Sequence, residues 1–67
     1  MITITVNGEQ RSAKADSTVT DLLREMGLDA GRVAIERNLD ILIRSDWAKT
    51  VLQAGDRYEI VQFVGGG

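Results

Sequence analysis

The feature of this sequence most suited to chemistry is its last three residues, Gly65-Gly66-Gly67. They directly follow an apolar run typical of a strand, from Tyr58 to Val64. Glycine holds a fixed backbone poorly, so this ending is not expected to pack into a core. It leaves the carboxylate of Gly67 on a tether without side chains, thin enough to enter a narrow enzyme cleft. A short glycine run is also typical of a frayed terminus, so the rest of the chain must decide between the two interpretations.

Side chains able to do chemistry are scarce in the rest of the sequence. The 67 residues include no histidine and no cysteine, so the common general bases and nucleophiles of a self-contained enzyme are missing. The acidic side chains fall mostly at predicted caps, turns and outer faces, where a solvated surface explains them better than a catalytic pair. The sequence therefore predicts a substrate or partner of enzymes, with no bound cofactor and no metal site, rather than an enzyme.

Charge and hydropathy argue against two other classes of function. Ten acidic and eight basic residues are interspersed and give a net charge of −2, which leaves no basic patch for nucleic acid. No segment approaches the roughly 20 apolar residues of a membrane span, and the alternating N-terminus lacks the apolar block of a signal peptide. We therefore expect a cytoplasmic protein that binds neither nucleic acid nor membrane and is a monomer when free.

The chain begins with the pattern of a β-hairpin. Ile2, Ile4 and Val6 alternate with threonines, which is the period of a half-buried strand. Asn7-Gly8 follows, and both residues tolerate the positive φ angles of a type I′ turn. Residues 9–13 are then predicted to return as a more polar edge strand, which resists association with other strands.

A helix with both ends marked is predicted next. Thr18 and Asp21 have the spacing of a capping box. Gly27 supplies the left-handed residue that follows a helix, and Leu28 can fold back onto Leu23 as in a Schellman motif. The stripe that faces the core is formed by Val19, Leu22, Leu23 and Met26.

Three more strands are predicted in the second half, at 33–37, 41–43 and 57–64, with a turn at 38–40. Between the last two strands, Ser45 to Ala48 has the pattern of a capped helical turn. Its tryptophan, Trp47, is predicted to pack against the sheet edge, because packing is the commoner role for the sole tryptophan of a small domain.

The order of hairpin, helix and three strands predicts an α+β fold of the β-grasp (ubiquitin-like) type. We expect a mixed sheet of about five strands with one main helix packed on one face. The first and last strands are predicted to lie side by side and parallel in its centre. Residues 1–64 would form this β-grasp domain, and residues 65–67 a flexible C-terminal glycine tail.

The last strand has more apolar residues than one covered face requires. Its two faces carry large apolar groups near the tail, yet one helix covers a single face. Glu59 marks its own face as the outer one, which leaves Val61 and Phe63 towards solvent. With the adjacent Val64, these residues are the predicted partner-binding site, placed to orient the glycine tail.

Four segments together resemble the small sulfur carrier proteins of thiamin biosynthesis, a ubiquitin-like family that ends in Gly-Gly. The segments are Ile4-Thr5-Val6-Asn7-Gly8-Glu9, Val33-Ala34-Ile35-Glu36-Arg37-Asn38, Arg44-Ser45-Asp46-Trp47-Ala48 and the ending from Gly55-Asp56 through Glu59 to Gly67. The likeness spans essentially the whole chain. The ending and the Arg-Ser-Asp-Trp-Ala segment are its most specific parts.

The resemblance implies a defined chemistry at the C-terminus. An ATP-dependent activating enzyme would adenylate the carboxylate of Gly67, after Gly65 and Gly66 thread the tail into its active site. Sulfur relayed from a cysteine desulfurase or another donor would displace AMP and leave a thiocarboxylate. Thiazole synthase would then take that sulfur into the thiazole ring. ATP would be consumed by the activating enzyme and not held by this chain.

Three alternatives belong to neighbouring classes. The small subunit of molybdopterin synthase is a similar sulfur carrier, but its ending usually carries prolines, and this chain has none. A ubiquitin-like modifier would use the same adenylate to join lysine side chains of target proteins. A simple binding module would have an incidental tail, and would keep its function after loss of the last two glycines.

Overall fold

The computed structural model describes residues 1–63, which form a five-stranded mixed sheet with one α-helix on one face. The strands are β1 (Ile2–Val6), β2 (Glu9–Ala13), β3 (Val33–Arg37), β4 (Asp40–Ile41) and β5 (Arg57–Gln62), the helix is α1 (Val19–Glu25), and two 3₁₀ turns cover Ala30–Arg32 and Arg44–Lys49. The spatial order is β2-β1-β5-β3-β4. Strands β1 and β5 are parallel, and the other pairs are antiparallel. The predicted β-grasp fold, with the first and last strands side by side, is confirmed.

Two-residue turns close both hairpins of the sheet. Asn7 and Gly8 adopt φ angles of 51° and 84°, as the predicted type I′ turn requires. Asn38 and Leu39 adopt 51° and 75° and form a second such turn, where the sequence predicted a longer one. The predicted strand at 41–43 is therefore wrong in its bounds: β4 begins one residue earlier and ends after two residues. Leucine is unusual at a positive φ, so the residue types predicted a turn here but not a two-residue one.

Helix α1 has the predicted residues at both ends. The Thr18 hydroxyl accepts a hydrogen bond from the Asp21 amide, and the Asp21 carboxylate accepts one from the Thr18 amide, which completes the capping box. Gly27 adopts a φ of 73°, and the Leu28 amide donates to the Leu23 carbonyl at 3.0 Å. This is the Schellman ending, so residues close together in the sequence mark both ends of α1.

The core lies between α1 and the inner face of the sheet. Its buried apolar residues are Ile4, Val6, Ala13, Val19, Leu22, Leu23, Val33, Ile35, Trp47, Leu52, Tyr58 and Ile60. Trp47 packs in this core, and its indole N–H donates to the Leu42 carbonyl at 2.9 Å, so its predicted packing role is confirmed. The predicted side-chain cap of its turn is wrong, because the turn begins at Arg44 and no side chain caps it.

A buried carboxylate fixes the start of β5. Asp56 is only 5% exposed and accepts hydrogen bonds from the Gln53 amide, the Tyr58 hydroxyl, the Arg37 guanidinium and the Asn38 side-chain amide, at 2.8 to 3.3 Å. Burial alone raises the pKa of Asp56, but these hydrogen bonds outweigh it and hold the pKa below its ordinary value. The charged carboxylate therefore ties β5 to the end of β3 and to the loop that precedes it.

The Tyr58 hydroxyl gives a prediction for the alkaline stability of the fold. Burial, and then its hydrogen bond to Asp56, raise the pKa of Tyr58 to about 12, compared with about 10 in an unfolded chain. The folded state therefore keeps a proton that the unfolded state loses. The resulting stabilisation is complete below pH 10 and is lost as the pH rises towards 12.

We expect Tyr58→Phe to lower the free energy of unfolding at pH 7 by about 1–3 kcal/mol, because the Asp56 carboxylate loses a buried donor. The variant should then lose less stability than the wild type between pH 10 and pH 12, since Tyr58 is the sole tyrosine of the sequence. Urea unfolding at a series of pH values measures both effects. An equally steep alkaline loss in the variant would contradict the assignment.

Candidate functional site

Strand β5 presents an exposed apolar surface close to the glycine tail. Val61 and Phe63 are 58% and 55% exposed, whereas Tyr58 and Ile60 are buried against α1. The predicted division of this strand into an inner and an outer face is therefore confirmed. The Phe63 amide donates to the Arg32 carbonyl at 2.7 Å, so the backbone stays hydrogen-bonded to the neighbouring segment up to the last described residue.

The remaining predicted site residues lie outside the described part of the chain. These are Val64 and the three glycines Gly65, Gly66 and Gly67. The structure thus brings Val61 and Phe63 to one surface and leaves the roles of the other four as predictions.

Four residues on the face opposite α1 surround Val61, and we refer to all five together as the outer patch. They are Ala34, Glu36, Ile41, Glu59 and Val61. Across β3 and β5, Ala34 pairs with Val61 and Glu36 pairs with Glu59, while Ile41 of β4 pairs with Glu36. The patch encloses a depression of about 200 Å³, and Ile41 beside it is 81% exposed. It therefore combines apolar surface with two carboxylates.

The apolar surface continues from the outer patch to Phe63. A second depression is lined by Phe63 and Ile43, and it shares Ala34 and Ile41 with the outer patch. Ile43 is 63% exposed. The Arg44 guanidinium lies beside this depression, 5.0 Å from the centre of the Trp47 ring that it covers. A partner that contacts Phe63 would therefore meet one extended surface across β4 and β5.

Asn7 holds β5 in place on the opposite edge. Strand β1 turns away after Val6, and the last backbone bond that the turn makes to β5 runs from the Asn7 amide to the Tyr58 carbonyl. The Asn7 side chain then continues the ladder: its oxygen accepts from the Ile60 amide at 2.7 Å, and its NH₂ donates to the Ile60 carbonyl at 3.1 Å. The Asn7 side-chain amide thus makes the two hydrogen bonds to Ile60 that a backbone peptide of β1 would otherwise make, two residues before β5 ends at Gln62.

The sequence patterns identified Asn7 as a turn residue only and gave Ile41 no role in a site. Asn7 offered no local signal for its second role, because its partner Ile60 is 53 residues away. Ile41 did carry a signal. Ile41 and Ile43 alternate with the half-buried Leu42, which places two large apolar residues towards solvent.

Val61, Phe63 and the neighbouring apolar and acidic side chains form the exposed surface described above. Among residues 1–63, no three potential metal ligands lie together. No helix in that range is long and apolar enough to cross a membrane. The described residues present an exposed face that is both apolar and acidic.

Known proteins are similar to this chain over nearly its whole length. The profile of the ThiS family matches residues 4–67. The chain belongs to the ThiS family. The resemblance to the sulfur carrier proteins of thiamin biosynthesis is thereby confirmed, and the fold agrees with it. A crystal structure of the thiamine biosynthesis protein ThiS from Geobacter metallireducens superposes with a TM-score of 0.83 at 32% identity, covering 98% of this chain and 100% of that one.

The curated relatives of this ThiS-family chain are of two lengths. The sulfur carrier protein ThiS of Bacillus subtilis is 38% identical over 63 residues, which cover 92% of this chain and 96% of that protein. Two proteins named thiazole synthase, from Paramagnetospirillum magneticum and Magnetococcus marinus, are 47% and 41% identical over 64 residues. Those 64 residues cover 96% of this chain but 20% of each synthase. The chain thus spans about a fifth of the length of these two relatives.

The double hydrogen bond of Asn7 predicts a graded loss of stability. Asn7→Gly keeps the positive φ of the turn but removes both bonds to Ile60, and should lower the free energy of unfolding by about 1–2 kcal/mol. Asn7→Asp should cost more, since a carboxylate cannot donate to the Ile60 carbonyl and repels it. Urea unfolding at pH 7 ranks the three proteins. A glycine variant as stable as the wild type would show that the turn, and not the amide, is what matters.

Proposed function

We propose that this ThiS-family chain carries sulfur as a thiocarboxylate on Gly67 and delivers it for thiazole formation. The observation that carries the proposal is the exposed pair Val61 and Phe63, held by the sheet directly before the glycine tail. In this proposal residues 1–64 are the β-grasp domain that partners recognise, and residues 65–67 are the tail that reacts. The protein is a co-substrate of enzymes and not itself an enzyme.

Activation converts a poor electrophile into a good one. A carboxylate oxygen of Gly67 attacks the α-phosphorus of ATP in the active site of an activating enzyme, and pyrophosphate leaves. Persulfide sulfur relayed from a cysteine desulfurase then attacks the acyl carbon, and the departure of AMP gives an acyl disulfide. A thiol attacks the donor-side sulfur of that disulfide, which releases the thiocarboxylate and leaves a new disulfide between the thiol and the donor. Another donor that supplies sulfide would displace AMP and give the thiocarboxylate directly. The acyl-adenylate hydrolyses readily, so the pocket must exclude water. ATP is consumed by that enzyme, and we therefore place the reaction in the cytoplasm.

The composition of the tail suits this route. Glycine lets a main chain pass through a slot too narrow for side chains. We assign Gly66 and Gly67 to the slot and Gly65 to the hinge between strand and slot. Sulfur has no alternative site on a side chain, because the sequence contains no cysteine.

Docking places the tail correctly before activation. We assign Val61, Phe63 and Val64 to the contact with the activating enzyme, because contiguous exposed apolar residues mark interaction sites. Thiazole synthase would bind the same surface afterwards, because both enzymes must bind the same C-terminal tail. The two thiazole synthases that contain a similar 64-residue segment support the second partner.

Removal of Gly67 tests the chemistry at the C-terminus. We expect the shortened protein to unfold at the same urea concentration as the wild type and to accept neither AMP nor sulfur. The measurement is intact mass after incubation with the cognate activating enzyme, ATP and a sulfur donor. The wild type in the same mixture should gain the mass difference between sulfur and oxygen, mapped to Gly67. Adenylation of the shortened chain would refute the proposed site.

Val61→Asp tests docking apart from folding. Because Val61 is exposed, the change should weaken binding to the activating enzyme about tenfold or more, while stability changes by no more than about 1 kcal/mol. Thr3→Asp is the matched control, since Thr3 is an exposed β-branched residue near the start of the neighbouring strand β1, and the register places it before the start of β5. Calorimetric titration measures the affinity of both variants for the activating enzyme, and urea unfolding measures their stability. Equal affinity of the two variants would remove Val61 from the interface.

A further inference from the structure

The outer patch contains two glutamates that lie directly opposite each other on neighbouring strands. Glu36 and Glu59 are partners in the antiparallel pairing of β3 with β5, and both are exposed. Side chains in such a pair have Cβ atoms about 5 Å apart, and like charges at that distance destabilise a sheet. Within residues 1–63 neither carboxylate lies within 4.0 Å of a basic nitrogen, although Arg57 is on the same face of β5.

Apolar groups surround this acidic pair. Ile41 is paired with Glu36 on one side, and the pair of Ala34 with Val61 lies in the next row of the sheet. A partner that covers Ile41 and Val61 must therefore remove the two carboxylates from water as well. Burial of an unpaired carboxylate is costly, so a stable complex requires the partner to supply a cation at that point.

An arginine has the geometry for two carboxylates. Its planar guanidinium presents several N–H donors and can bind oxygens of both glutamates at once. A lysine would meet the same need as a point charge. In the free protein the two charges repel, and in the complex one cation removes the repulsion.

We propose that the outer patch docks on thiazole synthase, with a basic side chain of the synthase lying between Glu36 and Glu59 and an apolar side chain in the depression beside Ile41. This rests on the function proposed above. The synthase is the chosen occupant because two relatives hold a thiazole synthase and this segment in one chain. The patch also adjoins the depression lined by Phe63, which precedes Gly67 by four positions in the sequence.

The test compares Glu36→Gln, Glu59→Gln and the double variant with the wild type in calorimetric titrations against the cognate thiazole synthase. Each change should weaken binding about five- to tenfold. The fold-change in Kd of the double variant should be smaller than the product of the two single-variant fold-changes, because both carboxylates bind one cation. The dependence of Kd on salt should become shallower in all three. Glu9→Gln, on the opposite edge strand β2, is the matched control and should bind as the wild type does.

The free energy of unfolding of the variants distinguishes a binding role of the two glutamates from a structural one. Because the substitutions relieve repulsion, the variants should be as stable as the wild type or more stable. A lower free energy of unfolding in either single variant would show that the glutamates support the fold, and would overturn the proposal. Unchanged affinity and salt dependence would do the same.

Two further outcomes separate this inference from the proposed function. If the variants bind the synthase normally but are adenylated poorly, the patch belongs to the activating enzyme and the inference fails alone. If the wild type does not bind the synthase, the proposed delivery of sulfur fails and the inference falls with it. Wild-type dimers that dissociate in the variants would assign the patch to a second copy of this chain, and would also overturn it.

Discussion

The parallel pairing of β1 with β5 is the interaction on which the rest of this structure depends. It joins the two ends of the chain and places the last strand in the centre of the sheet. Asp56 anchors the start of β5, and the Asn7 side chain extends the pairing to Ile60 after β1 has turned away. Since β3 covers the other edge, β5 is hydrogen-bonded on both sides. The described part of the chain therefore ends next to a strand that is held on both edges.

The residues of β5 that stabilise the fold and those that remain exposed to solvent lie on opposite faces of the strand. The inner face of β5 supplies Tyr58 and Ile60 to the core, and a domain of 67 residues has little apolar surface to spare. The outer face nevertheless keeps Val61 and Phe63 in solvent, next to Ile41 of β4. Large exposed apolar side chains that adjoin one another are typical of interaction surfaces. The fold thus keeps an apolar surface exposed on one face of β5 while the other face completes the core.

The parts of the fold that followed from the sequence depend on residues close together in the chain. The turn at Asn7-Gly8, the capping box of Thr18 with Asp21, and the ending at Gly27 each involve partners within five positions. The errors arose where local preference was overruled. Leu39 adopts a positive φ that leucine disfavours, so the predicted β4 begins one residue late. The 3₁₀ turn at Trp47 needs no cap, because burial of the indole holds it.

The sequence by itself determined that this protein lacks histidine and cysteine chemistry, and which face of β5 is buried, because alternation along a strand is set by local backbone geometry. Tertiary structure alone decided that Glu36 lies opposite Glu59, that Ile41 borders Val61, and that the amide of Asn7 meets Ile60. Those contacts depend on the register between strands separated by tens of residues. Register is set by how the whole core closes, and a shift of one residue would turn each of these side chains to the other face.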